Sequence, residues 1–258
     1  MNINIDTEAK TLHVDDDGNE RRIDLYGKEA FELISGIWLK TSWNQKYPYT
    51  FTWCGRPIIQ HPEDLVRLQE VVYALRPNVI IETGVAHGGS LVFFASLMKS
   101  IGHGHVVGVD IEIRPHNRAA IEAHTLAPMI SLVEGDSTAP EIVEQATAGI
   151  KPNDVVLVVL DSDHSRVHVA KELEVYQRFV TPGSYIVATD GIMEILHDVP
   201  RGEPQWKDDN PAAAARDFVA SHPEFVLETP PWVFNESQLD QLITGWPSAW
   251  LKRVHSGT

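Results

Sequence analysis

The segment 79–90 constrains the fold of this chain more than any other stretch, and it reads Val-Ile-Ile-Glu-Thr-Gly-Val-Ala-His-Gly-Gly-Ser. An apolar run ends in an acid, a turn with three glycines follows, and apolar residues then recur at helical spacing from Leu91 to Met98. Glycine allows a sharp turn and a close approach of the backbone to a ligand. The pattern predicts a buried parallel strand that turns into a helix, which is the first step of a nucleotide-binding α/β sheet.

Two further predicted strands also end in acids. The segment 105–110 ends at Asp110, and the segment 130–134 leads into a Gly-Asp-Ser turn at 135–137. An acid at the end of the second strand is where ribose hydroxyls are held in sheets of this kind. The glycine turn has neither the G-x-G-x-x-G spacing of a dinucleotide site nor the sequence of a Walker loop. Three strands that end in acids therefore favour an adenosine-containing cofactor, and S-adenosylmethionine fits best.

Each part of S-adenosylmethionine has a predicted place at a different strand end. The helix N-terminus near Ser90 attracts the methionine carboxylate, so that Glu82, Gly84 and Ser90 would hold the methionine end. Asp110 would bind the ribose, and the turn at Asp136 would lie at the adenine. The predicted cofactor-binding residues are Glu82, Thr83, Gly84, Val85, Gly88, Gly89, Ser90, Asp110, Ile111, Asp136, Ser137 and Asp161.

Composition narrows the class of protein. The chain has 258 residues, 43% of them hydrophobic, which suits one α/β domain with additions. Its net charge of −15 argues against nucleic acid or an anionic membrane as the main partner. No stretch resembles a signal peptide, and the longest apolar run is far shorter than a membrane span. The single cysteine, Cys54, cannot form an internal disulfide, so we expect a buried or half-buried thiol and a cytoplasmic protein.

Residues 1–60 are predicted to form an N-terminal hairpin, helix and aromatic segment, and residues 61–258 one compact cofactor-binding unit. Residues 197–212 are polar and contain Pro and Gly, which predicts a mobile insertion over the site. In the second unit, the remaining helices are predicted at 61–75, 138–148, 167–179 and 212–220, and the remaining strands at 155–160, 184–188, 225–227 and 246–254.

The N-terminal part carries three local signals. A turn sequence at 15–19 predicts a hairpin within the first 25 residues. The segment 27–40 is predicted to be a helix, with an apolar face that includes Phe31 and Ile37. The segment 41–60 is a predicted loop rich in aromatic residues, and it forms either a layer packed on the sheet edge or a flap over the cofactor and acceptor.

A second group of polar residues follows the fourth and fifth predicted strands of the main sheet. Asp161, Asp163 and His164 come after the run 155–160, and Asp190 comes after the run 184–188. Grouped carboxylates suit Mg²⁺, Mn²⁺ or Ca²⁺, so Asp161, Asp190 and Asp163 are the predicted metal ligands. Asp161 and Asp190 are otherwise strand-end caps without a metal. His164 is a candidate general base, or else a residue that only begins the next helix.

A set of motifs in one order resembles the cephalosporin hydroxylase/rhamnosyl O-methyltransferase family of class I S-adenosylmethionine-dependent methyltransferases. The resemblance covers roughly residues 36–195, with a weaker similarity at the C-terminal end. The motifs that carry it are Thr52-Trp53-Cys54-Gly55, Pro62-Glu63-Asp64, Ile81-Glu82-Thr83-Gly84 through Gly88-Gly89-Ser90, Gly108-Val109-Asp110-Ile111, Arg114-Pro115-His116-Asn117-Arg118, Leu160-Asp161-Ser162-Asp163-His164 and Trp250-Leu251-Lys252-Arg253.

The resemblance implies a Rossmann-like α/β fold with a seven-stranded, mostly parallel sheet, S-adenosylmethionine in the glycine-turn pocket, a divalent metal and a homo-oligomer. It also implies acceptors that are hydroxyls of sugars or of antibiotic intermediates. Members of the family usually carry Glu-Asp at the end of the fifth strand, a pair implicated in metal binding. This chain has Thr189-Asp190 there, which removes one carboxylate from the implied metal site.

The function expected from the residues and the resemblance together is an S-adenosylmethionine-dependent O-methyltransferase. Its acceptor would be a sugar hydroxyl, on a deoxysugar of a natural product or a surface glycan, placed between Asp161, Asp190 and the cofactor. His164 or Asp190 would accept the proton, with help from Mg²⁺ if the ion is bound. The alternatives are a hydroxylase or methoxylation component that acts on a cephalosporin, and a cofactor-binding protein without catalytic activity.

Overall fold

The computed structural model describes residues 1–254 and has an α/β architecture. Its strands are Asn2–Asp6 (β1), Thr11–Asp16 (β2), Asn19–Asp24 (β3), Phe51–Trp53 (β4), Arg56–Ile58 (β5), Val79–Thr83 (β6), His105–Asp110 (β7), Ile130–Glu134 (β8), Val156–Leu160 (β9), Tyr185–Ala188 (β10), Phe225–Leu227 (β11) and Trp250–Arg253 (β12). Its α-helices are Lys28–Asn44 (α1), Pro62–Leu75 (α2), Gly89–Ile101 (α3), Pro115–Glu122 (α4), Pro140–Thr147 (α5), Arg166–Tyr176 (α6), Met193–Leu196 (α7) and Pro211–Ser221 (α8).

The main sheet has seven strands in the order β11-β12-β10-β9-β6-β7-β8. The five strands from β10 to β8 are parallel, whereas β12 runs antiparallel to both β10 and β11. The chain enters this sheet at the central strand β6, builds outwards through β7 and β8, and then crosses to β9 on the other side. The order of strands therefore reverses at β6, and ligands of open α/β sheets bind beyond such a point.

The central strands are buried on both faces. Every residue of β6 and of β9 is buried. Neighbouring residues in β6 belong to two different hydrophobic clusters, with Ile80 on the side of α2 and α3 and Ile81 on the side of α5, α6 and α8. This arrangement explains why the central strands are continuous apolar runs in the sequence instead of alternating patterns.

The strand register brings the strand ends to one edge of the sheet. Thr83 pairs with Val109 on one side and with Leu160 on the other. The residues that follow each strand therefore meet: Asp161 N–H donates to Thr83 O at 2.9 Å, and Thr189 N–H donates to Leu160 O at 3.1 Å. The acids predicted from separate parts of the sequence thus share one edge.

The N-terminal part contains the predicted hairpin, formed by β2 and β3, and β1 adds a third antiparallel strand. Helix α1 extends four residues beyond the predicted end at residue 40. The apolar face predicted for this helix is wrong at Phe31 and Ile37, which are 41% and 39% exposed. The small sheet determines the buried side instead, because Ala30 packs against Leu12 and Val14.

The segment 41–60 is not a loop. It contains the end of α1, a 3-10 turn at 47–50 and the hairpin β4–β5. The turn residues Cys54 and Gly55 have φ values of +45° and +86°, as two-residue hairpin turns require. Cys54 is exposed because it lies at this turn, so the prediction of a buried or half-buried thiol is wrong.

The helices and strands predicted for the second unit are all present, within a few residues at their ends. The last four residues of the predicted 61–258 unit lie outside the described part of the chain. Within residues 1–254, no helix combines the length and the apolar character needed to cross a membrane.

Candidate functional site

The glycine turn after β6 is shaped by close backbone contacts. Gly84 has φ +92°, and a Cβ on it would lie 2.0 Å from the carbonyl oxygen of Asp161. A Cβ on Gly89 would lie 2.0 Å from the carbonyl oxygen of Pro57 in β5. Only glycine fits at these two positions, since the turn is held between the end of β9 and the β4–β5 hairpin.

Glu82 stabilises this turn by a hydrogen bond between its two ends. Its side chain is 1% exposed, and the Ser90 hydroxyl donates to its Oε2 at 2.8 Å. Burial, with the nearby charge of Asp161, raises the pKa of Glu82 well above its ordinary value. Glu82 thus links the end of β6 to the first turn of α3. It also orients Ser90, which lines the cleft.

Asp110, predicted to bind ribose, already accepts hydrogen bonds from the glycine turn. Its Oδ2 accepts the N–H groups of Val85 at 2.8 Å and Ala86 at 3.1 Å. Ala86 has φ +44°, an unusual value outside glycine, and Asn117 fixes it by donating to its carbonyl oxygen at 2.8 Å. The carboxylate is therefore held in place, and carboxylate oxygens have lone pairs left for hydroxyl donors.

The predicted adenine side divides into an exposed acid and a buried serine. Asp136 accepts the N–H and hydroxyl of Thr138, and these hydrogen bonds lower its pKa. Ser137 is buried and donates to Glu172 Oε1 at 2.5 Å. Ser162, on the neighbouring loop, donates to the same oxygen at 2.8 Å.

Glu172 was not identified from the sequence, although it joins two loops of the site. It lies on α6 and is fully buried. His168, one helical turn earlier, has Nε2 3.3 Å from Glu172 Oε1, and this pairing raises the pKa of His168. The i, i+4 spacing of a histidine and an acid was the only signal in the sequence. The burial of the acid depends on tertiary packing.

Two adjoining cavities lie along this edge of the sheet, with volumes of about 220 and 380 Å³. They share Gly84, Ala86, Asp161 and Ser162 and together form one cleft. Glu82, Thr83 and Gly88 are predicted cofactor residues that do not line the cleft. The predicted cofactor residues that do line it are Gly84, Val85, Gly89, Ser90, Asp110, Ile111, Asp136, Ser137 and Asp161.

The β4–β5 hairpin forms one wall of the smaller cavity. Tyr49, Pro57 and Gln60 are among its lining residues. The same region also packs on the core, since the Trp53 ring lies edge-on to Phe93 with centroids 4.9 Å apart. The aromatic segment is therefore both a packed layer and part of the cleft wall.

The residues 197–212 do not lie over the cleft. They pack against the end of α1: the Arg201 guanidinium lies 4.6 Å from the centroid of the Trp43 ring, and the Trp206 ring lies 5.3 Å from the same ring. No residue of this segment lines either cavity. The predicted insertion over the site is a wrong prediction, because its tryptophan and arginine bind the segment to α1.

Asp161, His164 and Asp190 meet at one end of the cleft, with ligand atoms all within 4.8 Å of one another. His164 Nε2 lies 3.4 Å from Asp190 Oδ2. Asp163, also a predicted metal ligand, is not in this group. It accepts the Ser165 N–H at 2.7 Å, hydrogen bonding to Ser165 lowers its pKa, and it lines the larger of the two cavities.

Asp161 has an unusual environment. Burial and the charge of Asp190 raise its pKa to about 7, although His164, Thr189 and Gln60 act in the opposite direction. The Thr189 hydroxyl lies within hydrogen-bonding distance of both Asp161 Oδ1 and Leu160 O, yet it has one proton to donate. A protonated Asp161 that donates to Thr189 satisfies all three groups, in agreement with the raised pKa.

The donor set fits a hard divalent cation. The two carboxylates suit Mg²⁺ or Mn²⁺, and water completes such coordination spheres, whereas the imidazole is a ligand more typical of zinc, iron or copper. The hydroxyl of Thr189, the residue before Asp190, is engaged with Leu160 O and Asp161 Oδ1, and this side chain adds no second carboxylate beside Asp190. Among residues 1–254, this is the one group of at least three acids, histidines or cysteines with metal-binding geometry.

Comparisons with known proteins agree with this arrangement. A profile of the family described as rhamnosyl O-methyltransferase/CmcI matches residues 45–254. A rhamnosyl O-methyltransferase of Mycobacterium leprae is 36% identical over 145 residues, which cover 55% of this chain and 60% of the relative. The match thus spans less than two thirds of that relative's length.

Solved structures share the fold. The apo structure of CmcI-N160 superimposes with a TM-score of 0.54 and 19% identity, covering 81% of this chain and 78% of the other. CmcI-D160 with Mg and SAM gives a TM-score of 0.50 and 18% identity, covering 80% and 78%. By its sequence and its fold, this chain belongs to the rhamnosyl O-methyltransferase/CmcI family.

Proposed function

We propose that this protein is an S-adenosylmethionine-dependent O-methyltransferase that acts on a sugar hydroxyl. The observation that carries the proposal is the layout of the cleft. Asp110 lines one of the two cavities and His164 and Asp190 line the other, while the glycine turn and Asp161 border both. The names of the family and of its curated members support a sugar hydroxyl as the acceptor.

The residues of the cofactor half fit S-adenosylmethionine. Asp110 would accept the ribose hydroxyls, and Ser137 would lie at the adenine. Ser90 and the amides at the start of α3 would bind the methionine carboxylate. When bound, S-adenosylmethionine supplies a methyl group on a sulfonium. The structure of CmcI-D160 with Mg and SAM, which shares the fold, supports the same cofactor for this chain.

The acceptor half is suited to removing a proton from a hydroxyl. His164 and Asp190 lie 3.4 Å apart and form a pair in which either group can take the proton. Asp161 and Asp190 would hold Mg²⁺ or Mn²⁺ together with water, such an ion would lower the pKa of the acceptor hydroxyl, and His164 would then take the proton. Tyr49, 53% exposed at the wall of the cavity, offers an aromatic surface to a sugar ring. Much of the rate enhancement would come from positioning.

Titration calorimetry with S-adenosylmethionine tests the cofactor assignment. We expect binding by the wild type that EDTA does not abolish, because Asp190, one of the metal ligands, does not line the cavity that contains Asp110. Asp110→Asn should weaken binding at least tenfold. Glu112→Gln, which removes an acid two residues away that lines neither cavity, is the matched control and should bind normally. Equal affinities for all three proteins would remove Asp110 from the ribose site.

Methyl transfer to rhamnosides and other deoxysugar glycosides tests the activity. We expect Asp190→Asn to lower the transfer rate at least a hundredfold while the cofactor affinity stays within twofold of the wild type. Retained turnover in this variant would contradict the proposed role of Asp190. Cofactor binding without turnover on any glycoside would favour the non-catalytic alternative. In that case, the presence of Thr189 instead of an acid beside Asp190 would account for the lost activity.

The hydroxylase alternative predicts a different product. The group of metal-ligating side chains has one histidine and two carboxylates, whereas non-haem iron oxygenases typically use two histidines and one carboxylate. Mass spectrometry of the product separates the two reactions, since methylation adds CH₂ and hydroxylation adds one oxygen.

A homo-oligomer also belongs to this proposal, and light scattering on the purified protein measures its size.

A further inference from the structure

A carboxylate outside the cleft is connected to the turn that carries Asp190. Asp64 lies in the first turn of α2, is 3% exposed, and lines neither cavity of the cleft. One of its oxygens accepts the Thr244 hydroxyl, and the other accepts the Gly245 N–H at 2.8 Å. Asp64 thus binds a segment that lies 180 residues further along the chain.

Gly245 extends this connection to the end of β10. Its carbonyl oxygen accepts the Ile192 N–H at 3.0 Å. A Cβ on Gly245 would lie 3.2 Å from Asp64 Oδ2, and a Cβ on Gly191 would lie 2.3 Å from the carbonyl oxygen of Pro247. The segment 244–247 is therefore packed closely between α2 and the turn 190–192.

The turn requires support because Asp190 has an uncommon backbone conformation. Its φ is +56°, in the left-handed region that residues with a Cβ seldom adopt. Residues in such conformations persist only when their surroundings hold them, and they cluster at active sites. In this protein, part of the surroundings that hold Asp190 is the hydrogen bond between Gly245 and Ile192.

We propose that Asp64 is a positioning residue that holds Asp190 at the acceptor end of the cleft through Thr244, Gly245 and Ile192. The inference rests on the proposed function for the role of Asp190, but not for the physical connection. Each oxygen of Asp64 accepts a different donor, whereas an asparagine has one oxygen and its amide nitrogen cannot accept. Asp64→Asn therefore loses one of the two hydrogen bonds, and the segment 244–247 then holds the turn less firmly.

Four variants separate positioning from helix stability. Asp64→Asn and Thr244→Val remove the connection from its two sides. Thr244→Ser keeps the hydroxyl and should behave like the wild type. Glu63→Gln is the matched control, because it removes an acid from the same helix turn that has no hydrogen bond to residues 244–245.

Hydrogen–deuterium exchange of peptides covering residues 189–196 measures the connection directly. We expect Asp64→Asn and Thr244→Val to raise exchange in these peptides at least fivefold, with peptides from β6 and α3 unchanged. In methyl transfer, both variants should lower kcat at least tenfold and leave the affinity for S-adenosylhomocysteine within twofold. Thr244→Ser and Glu63→Gln should leave exchange and kcat unchanged.

Unchanged exchange at 189–196 in both variants would overturn the inference, whatever the protein catalyses. A uniform rise in exchange over the whole chain would also overturn it, since that result indicates general destabilisation. If Asp64→Asn does not fold, the exchange experiment is done on Thr244→Val, which removes one hydrogen bond of the connection and keeps Asp64. Absence of cofactor binding and transfer in the wild type would refute the proposed function, while the exchange experiment would still decide the inference.

Discussion

Replacing Asp161 by asparagine should stabilise the protein increasingly as the pH rises. Asp161 ionises near its ordinary value of 3.8 in the unfolded chain, and its pKa is about 7 in the folded protein. Between these values the folded protein holds a proton that the unfolded chain has lost. The free energy of unfolding of the wild type therefore falls as the pH rises from about 4 to about 7, and it levels off above the folded pKa.

The magnitude follows from the width of this window. Each pH unit is worth ~1.4 kcal/mol, so a shift of roughly three units sets an upper limit of ~4 kcal/mol. Asp161 borders the cleft and is only partly buried, and solvent therefore screens its charge. We expect about half of the limit, ~2 kcal/mol. The asparagine side chain of the variant has no charge to bury, and its amide N–H can replace the carboxyl proton that Asp161 donates to the Thr189 hydroxyl.

Urea unfolding followed by tryptophan fluorescence, in EDTA and at several pH values from about 4.5 to about 8, measures the difference between variant and wild type. The difference should grow by ~2 kcal/mol over this range. Asp163→Asn is the control, because hydrogen bonding lowers the pKa of Asp163 and its contribution is fully present above its ordinary pKa of 3.8. A difference between Asp161→Asn and the wild type that does not depend on pH would refute the reasoning.

The remaining predictions concern the metal, the glycine turn and the buried glutamate. Mg²⁺ at pH 8 should raise the melting temperature of the wild type but not of Asp161→Asn, and an equal rise in both would contradict metal binding by this carboxylate. Gly84→Ala should cost several kcal/mol, more than the ~1–2 kcal/mol of left-handed strain expected for Gly18→Ala, where a Cβ meets nothing within 4 Å. Similar melting temperatures for the two alanine variants would show that the turn can move. Glu172→Gln should weaken binding of S-adenosylhomocysteine at least tenfold, and calorimetry that finds unchanged affinity would remove Glu172 from the support of the adenine side.

Much of the fold was predictable because its signals are local. The apolar runs of β6 and β9, the glycine turn and the proline at the start of α2 each depend on a few neighbouring residues. The end of α1 was predicted incorrectly, and so was part of its buried side. The last turn of α1 packs against the segment 192–206, whereas near its start Phe31 remains exposed because Ala30 is the residue that packs against the small sheet.

The position of the site was also predictable, but several of its partners were not. Parallel strands place their carboxyl ends at one edge, so Asp110, Asp161 and Asp190 could be grouped from the sequence. Gln60 donates to Asp161 from 101 residues away, and no pattern in the sequence connects them. Glu172 could be placed on a helix, but its contact with the loops of Ser137 and Ser162 needed the packing of α6 against the sheet.

The sequence by itself determined the order of the elements, the glycine turn and the set of acids at the strand ends, since these follow from local conformational preference and from hydrophobic period. Only the tertiary structure decided which side chains meet. It brought His164, and not Asp163, close to Asp161 and Asp190. Asp163 instead faces the start of α6, where it accepts the N–H of Ser165. It also placed Gly245 against Asp64, since that contact depends on the path of the chain between β11 and β12.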